Sequence, residues 1–329
     1  MKKKNVIGVD VSKMTLDIVF KNNQKHLCIS NDQKGFISFM REIKLMDLLQ
    51  EDCFVVMEHT GLYSYPFENF LSRNGILFSK VPALQIKRSS GIVRGKNDKA
   101  DARQIAEFGD LHQSQLRPSI PSAKMNYLKS LLSLRDRFVT QKAGYVSSLK
   151  EQETFLGVKK SSPLLKTQSK MILMLENQIE EIEAEIKRIV AEEETMKENY
   201  DLQTSITGVG FVVATYMIVY TNNFTSFTDP RKYASYCGIA PFDHSSGSSL
   251  KKKPRISHLA NKKAKCLLDL AAKSAMVHDP ELKAFYQRRI DAGKNKRSTI
   301  NIIRNKILYR IFAVIKRQTP FQKNYQHAA

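Results

Sequence analysis

Cysteine is scarce in this chain. Cys28, Cys53, Cys237 and Cys266 are spread over 329 residues with no CxxC spacing. That pattern excludes a disulfide framework or a zinc knuckle and suits a reducing compartment. Long apolar runs are also missing: Phe211–Tyr220 falls short of the roughly 18 residues that a membrane span needs. No secretory leader is expected, because Met1-Lys2-Lys3-Lys4 runs into a strand-like segment holding Asp10. Acidic residues are in deficit, 32 against 53 Lys+Arg, which leaves a net charge of +21. Hydrophobic residues reach 42%, too many for a disordered chain. The expectation is a soluble, basic, cytoplasmic protein of about two domains plus a connector.

The charge is uneven. Residues 1–150, 151–200 and 201–329 carry net charges of +10, −4 and +15. In the last segment Lys251-Lys252-Lys253, Arg255, Lys262-Lys263, Arg288-Arg289 and Lys294–Arg297 follow one another closely. A run of cations is ordinarily a solvated face, but this density repels itself without a polyanion. Nucleic-acid phosphates are the natural partner, contacted by Lys251, Lys252, Lys253, Arg255, Lys262, Lys263 and Arg297. An anionic membrane is the alternative, yet no basic amphipathic helix with an aromatic face stands out.

The first ~110 residues alternate strands and helices. Asn5–Asp10 is a buried strand ending in a carboxylate, and Leu16–Phe20 with His26–Ser30 extends it as a hairpin. Helix Gly35–Leu49, strand Cys53–Glu58, helix Leu62–Arg73, strand Ile76–Val81, a basic polar stretch Lys87–Lys99 and helix Asp98–Leu111 follow. This order predicts a mixed α/β sheet. Residues 122–200 read as two long helices, Ser122–Phe155 and Leu164–Tyr200. In the second, Ile172, Leu175, Ile179, Ile182, Ile186 and Ile189 alternate three- and four-residue steps. That seam fits an intramolecular hairpin or a dimeric coiled coil equally. Residues 201–329 are mainly helical, interrupted by a loop, Ala240–Ser257. Ile206–Gly210 resembles a helix-hairpin-helix turn, although two glycines before a buried helix are often there for packing.

Asp10 and Glu58 each end a strand, and Asp98 and Asp101 lie three apart at a helix start. Singly each has a plain explanation: Asp98 as a helix cap, Asp101 paired with Lys99 or Arg103, Asp10 at a strand end. Together they form a repulsive group that hard divalent cations would neutralise, and two such ions suit phosphoryl transfer. This conjunction is similar to the ribonuclease H fold, and to the RuvC resolvases within it. The actin-like sugar kinases share the Gly8-Val9-Asp10 start but require a second phosphate hairpin and an adenosine segment, which the basic C-terminus does not offer. The Ser/Gly-rich stretch Gly238–Ser249 precedes cations able to hold a phosphate near a hydroxyl, and a serine there would need such help to act as a nucleophile.

Six segments in order resemble the DEDD transposases of insertion-sequence family 110, which are related to the Piv-like DNA invertases. They are Gly8-Val9-Asp10-Val11-Ser12-Lys13, Met57-Glu58-His59-Thr60-Gly61-Leu62-Tyr63, Asn97-Asp98-Lys99-Ala100-Asp101-Ala102, Ile206–Gly210, Tyr236-Cys237-Gly238-Ile239-Ala240-Pro241 and Ser246-Gly247-Ser248-Ser249. The resemblance spans nearly the whole chain. It implies an RNase H-like (RuvC-like) domain over residues 1–120, a helical hairpin or coiled-coil connector over 121–200, and a mainly α-helical transposase domain over 201–329. It further implies two Mg²⁺ ions held by Asp10, Glu58, Asp98 and Asp101, and Ser246 as the nucleophile, chosen over Ser245 by register. Donor and target DNA, a guide (bridge) RNA and a dimer or larger homo-oligomer are the implied partners, with a prokaryotic, nucleoid-associated location. A junction nuclease that needs the acids but not Ser246, and a non-catalytic nucleic-acid-binding protein, are the readings from other classes.

Overall fold

The computed structural model describes residues 4–59, 61–89, 97–157, 162–246, 250–256 and 260–322, with backbone alone for 243–246 and 250–256. The chain divides into two compact units, Met1–Ser122 and Ala123–Ala329. Among the described residues no helix is long and apolar enough to cross a membrane.

The first unit is built on a five-stranded mixed sheet. Strands β1 (Asn5–Val11), β2 (Thr15–Phe20) and β3 (His26–Ser30) form an antiparallel meander, and β4 (Cys53–Glu58) and β5 (Leu77–Val81) continue it in parallel. The spatial order is β3-β2-β1-β4-β5. Alternation along the strands sorts the side chains between two layers. Ile7, Val9, Leu16, Ile18, Val55 and Met57 meet Phe36, Phe39 and Ile43 of α1 (Gln33–Leu45) and Phe67 and Leu71 of α2 (Tyr65–Arg73). The opposite face sends Val6, Phe54 and Val56 against Ile105 and Phe108 of α4 (Asp98–His112), which follows the short helix α3 (Ala83–Ser89).

Some elements differ from the sequence expectation. Helix α1 stops at Leu45 rather than Leu49, since Met46 closes it and Asp47 turns to φ 55°. Helix α2 starts at Tyr65 rather than Leu62, with Pro66 in its first turn, where a missing N–H costs nothing. Helix α3 begins ahead of the stretch read as basic and polar, and Ile86 buries itself against the sheet layer.

In the second unit α5 (Ala123–Phe155) and α6 (Pro163–Ala191) run antiparallel. Their cross-links descend in register: Arg135 Nε to Glu183 at 2.7 Å, Lys142 Nζ to Glu176 at 3.4 Å, and Gln152 accepting from Gln168 at 2.7 Å. Leu175, Ile179, Ile182, Ile186 and Ile189 are buried and Ile172 is half-buried. The expected helix Leu164–Tyr200 is two: Glu193 turns extended, and α7 (Glu194–Thr204) sets off to bury Met196 and Leu202. The base of the hairpin shares one core with α8 (Phe211–Tyr220), α9 (Pro230–Tyr236), α10 (Lys262–His278), α11 (Pro280–Asp291) and α12 (Lys296–Arg317). Within the expected loop Ala240–Ser257, β6 (Pro241–Ser246) and β7 (Leu250–Ile256) pair antiparallel. Helical periodicity is absent from these two stretches because both are extended. In the glycine turn, Gly208 sits at φ 95° and a Cβ on it would lie 2.5 Å from the Ala271 carbonyl oxygen, so its smallness serves packing on α10.

Candidate metal centre and serine hairpin

Asp10 lies on the same face of β1 as Gly8, the face α4 covers. The fit is close because Ala102 and Ala106 of α4 pack on Val19 and on Gly8. This contact carries the start of α4 to the end of β1. There, carboxylate oxygens of Asp10, Asp98 and Asp101 all lie within 4.8 Å of one another. Neither plain explanation of the helical pair holds. Asn97 is the cap, its side chain accepting from the Ala100 amide at 2.7 Å, so Asp98 is not needed for that. Among the described residues no ion pair joins Asp101 to Lys99 or Arg103.

Glu58 does not join that three-carboxylate group. It ends the neighbouring strand: the register Val9↔Met57 sets Glu58 beside Asp10, and alternation turns both to the α4 face. Its charge reaches Asp10 even so. Burial, then Asp101, Asp98, Glu58 and Asp17, push the Asp10 carboxyl up to about 6. A carboxylate held up this way by burial and by like charges is stabilised by a bound cation, and all-oxygen donors suit a hard divalent ion. The helix N-terminus eases the repulsion only partly.

Asp17 was not singled out from sequence. It stands opposite Asp10 across β1 and β2, buried, 2.7 Å from Nε2 of His26. The hairpin register carries that signal, because opposite positions in an antiparallel pair share a face.

Ser246 is the last residue of β6, paired with Leu250, and Ser245 is paired with Lys251. His244 pairs with Lys252 and Phe242 with Arg255, so the predicted cations of β7 run alongside the serine strand. Lys253 lies in the same strand, and Ser248 and Ser249 lie outside the described residues. The root of the hairpin is anchored: Asn301 and Asn305 of α12 donate to the Ile239 carbonyl at 2.8 and 3.3 Å. Asn261 caps α10 and donates to the Tyr236 hydroxyl at 2.7 Å. Lys262 and Arg297 are exposed at the starts of α10 and α12, whereas Lys263 pairs with Asp136 of α5 at 2.7 Å.

Both halves of this arrangement match known proteins. Residues 7–152 match the family model of the DEDD transposases of IS110 type, and residues 200–287 that described as "Transposase IS116/IS110/IS902 family". The chain is 26% identical over 326 residues to the pilin gene-inverting protein of Moraxella lacunata, covering 97% of this chain and 98% of that one. It is 24% identical over 357 aligned positions to the transposase for insertion sequence element IS1111A of Coxiella burnetii, covering 98% and 92%. A 121-residue stretch, 36% of this chain and 29% of the relative, is 30% identical to a protein of insertion element IS110 from Streptomyces coelicolor. With acids and serine segment falling in the two matched regions, the chain belongs to the IS110 family of DNA transposases.

Proposed function

We propose that this transposase cuts and rejoins DNA through a covalent serine intermediate, directed by a guide RNA, with an RNase H-like first domain. Three carboxylates gathered within 4.8 Å, with neither a capping duty nor a described cation partner, carry the reading. Asp10, Asp98 and Asp101, with Glu58 alongside, would hold Mg²⁺, which when bound supplies charge neutralisation at a phosphodiester. The Ser246 hydroxyl attacks the phosphorus as its proton is withdrawn, and the bond from phosphorus to the 3′ oxygen breaks. The departing oxygen takes up a proton to become a free 3′-hydroxyl, and the DNA remains joined to the chain as a 5′-phosphoserine. That ester conserves the bond energy, so a 3′-hydroxyl can reverse the attack and rejoin strands without a nucleotide cofactor. Lys251, Lys252, Lys253, Arg255, Lys262 and Arg297 would neutralise the nucleic-acid backbone, and base pairing with the RNA would select the sites. Recombining two duplexes calls for at least two copies of the chain.

The test is a denaturing gel of end-labelled DNA after incubation with protein, guide RNA and Mg²⁺. Label migrating with protein supports the serine route. Cleaved, protein-free ends point to water as the nucleophile and to a junction nuclease built on the same acids.

A further inference from the structure

Phe285 of α11 gathers three cations around one ring. The Lys306 ammonium lies 4.8 Å from the ring centroid, and the Arg288 and Arg289 guanidinium carbons lie at 5.7 and 5.9 Å. Arg288 and Arg289 sit three and four residues beyond Phe285 on the same helix face, and Lys306 arrives from α12. The ring's quadrupole attracts each cation, but a ring has no net charge, so all three positive charges persist.

Their neighbours behave differently. Arg304 is held by Asp269, and Arg310 is held at 2.6 Å by Asp279 and at 2.6 Å by Glu281. Among the described residues neither Arg288, Arg289 nor Lys306 makes an ion pair with a carboxylate. The Arg289 Nε is buried with no hydrogen-bond partner among the described residues, and its guanidinium lies against the ring. The sequence shows basic residues at all these positions alike. Folding pairs Arg304 and Arg310 with acids and leaves a trio set on one ring with no carboxylate among the described residues. Like charges so placed repel unless an anion lies among them, and their ordering on the ring lowers the entropy cost of receiving one.

We propose that Arg288, Arg289 and Lys306, set on Phe285, clamp the phosphodiester backbone of a polynucleotide, apart from the Lys251–Lys263 segment. The proposal rests on the reading of this chain as an enzyme that handles nucleic acid. Arginine's planar fork matches phosphate oxygens, and lysine adds a point charge.

The full-length chain and its triple variant Arg288→Gln, Arg289→Gln, Lys306→Gln are titrated with mixed-sequence duplex DNA, single-stranded DNA and RNA over a range of salt. The temperature is kept well below melting, so that a loss of stability alone does not alter the reading. The slope of log affinity against log salt should fall by about 2.7 on duplex DNA or about 2.1 on single strands, three phosphate contacts' worth. The pair Arg288→Lys, Arg289→Lys should keep the wild-type slope. The strand type that shows the larger loss is the clamp's ligand. Wild-type binding with an unchanged slope in the triple variant overturns the clamp while leaving the transposase reading intact. Absence of wild-type binding to every nucleic acid overturns that reading instead. Displacement of the bound strand by millimolar inorganic phosphate as readily as by polynucleotide overturns the assignment to a backbone.

Discussion

Gly8 of β1 and Ala106 of α4 meet with no room for a methyl group: a Cβ on Gly8 would lie 2.3 Å from the Ala106 amide nitrogen and 2.4 Å from the Ala102 carbonyl oxygen. Both obstacles are backbone, so the helix itself must move. Gly8→Ala should cost about 1–3 kcal/mol, the usual range for overpacking. The same shift draws Asp98 and Asp101 from Asp10, and strand cleavage should fall about a hundredfold, as misplacements near 1 Å do. Urea unfolding and a cleavage time course check both, and full cleavage at lowered stability would show that the close contact does not set the acids.

The raised Asp10 carboxyl, about 6 against 3.8 for the free group, gives a pH dependence of defined sign. Between those values the folded chain holds a proton that the unfolded chain has released. Metal-free stability therefore falls as pH rises from about 4 to 6 and levels off above, by on the order of 1–2 kcal/mol after solvent screening. Asp10→Asn should flatten that fall and raise the metal-free melting temperature at pH 7, while abolishing cleavage. Thermal unfolding between pH 4 and 8, with and without Mg²⁺, measures it. A variant that cleaves DNA normally and melts lower would show Asp10 to be structural.

Ser246 and Ser245 are adjacent at the end of β6, and substitution separates them. Ser246→Ala should lose the covalent DNA adduct and all strand exchange yet bind nucleic acid as before, because one hydroxyl adds little to a large ionic interface. Ser245→Ala should retain the adduct, and Ser248→Ala and Ser249→Ala should be mild. A dead Ser245→Ala beside an active Ser246→Ala would move the nucleophile by one residue.

Asn301 ties α12 to the root of the serine hairpin through the Ile239 carbonyl at 2.8 Å, with Asn305 behind it at 3.3 Å. Asn301→Ala should lower stability by about 1 kcal/mol, the ordinary worth of one such bond. Adduct yield should drop further than that loss accounts for, since the strand bearing Ser246 starts two residues on. Equal losses in yield and in folded fraction would reduce Asn301 to a packing role.

Local pattern determined a good deal here. Short apolar runs place β1 through β5 nearly to the residue, because strands buried in a sheet must carry them. The same pattern put Asp10 and Glu58 at strand ends, and the three-residue step put Asp98 and Asp101 on one face of α4. Other outcomes depended on which surfaces meet. The break at Glu193 is invisible in the continuous helical pattern from Leu164, because it follows from where Met196 and Leu202 find the core. The isoleucine seam of α6 fits a partner chain as well as its own in sequence, and the structure sets it against α5, with Arg135–Glu183, Lys142–Glu176 and Gln152–Gln168 linking the two helices. That Asp10 joins Asp98 and Asp101 while Glu58 stays alongside was set by the approach of α4 to Gly8. Composition fixed the sign and amount of charge, but pairing is a matter of distance. Lys263, Arg304 and Arg310 reach acids brought near by folding, whereas Arg288, Arg289 and Lys306 gather on the ring of Phe285 with no carboxylate partner among the described residues.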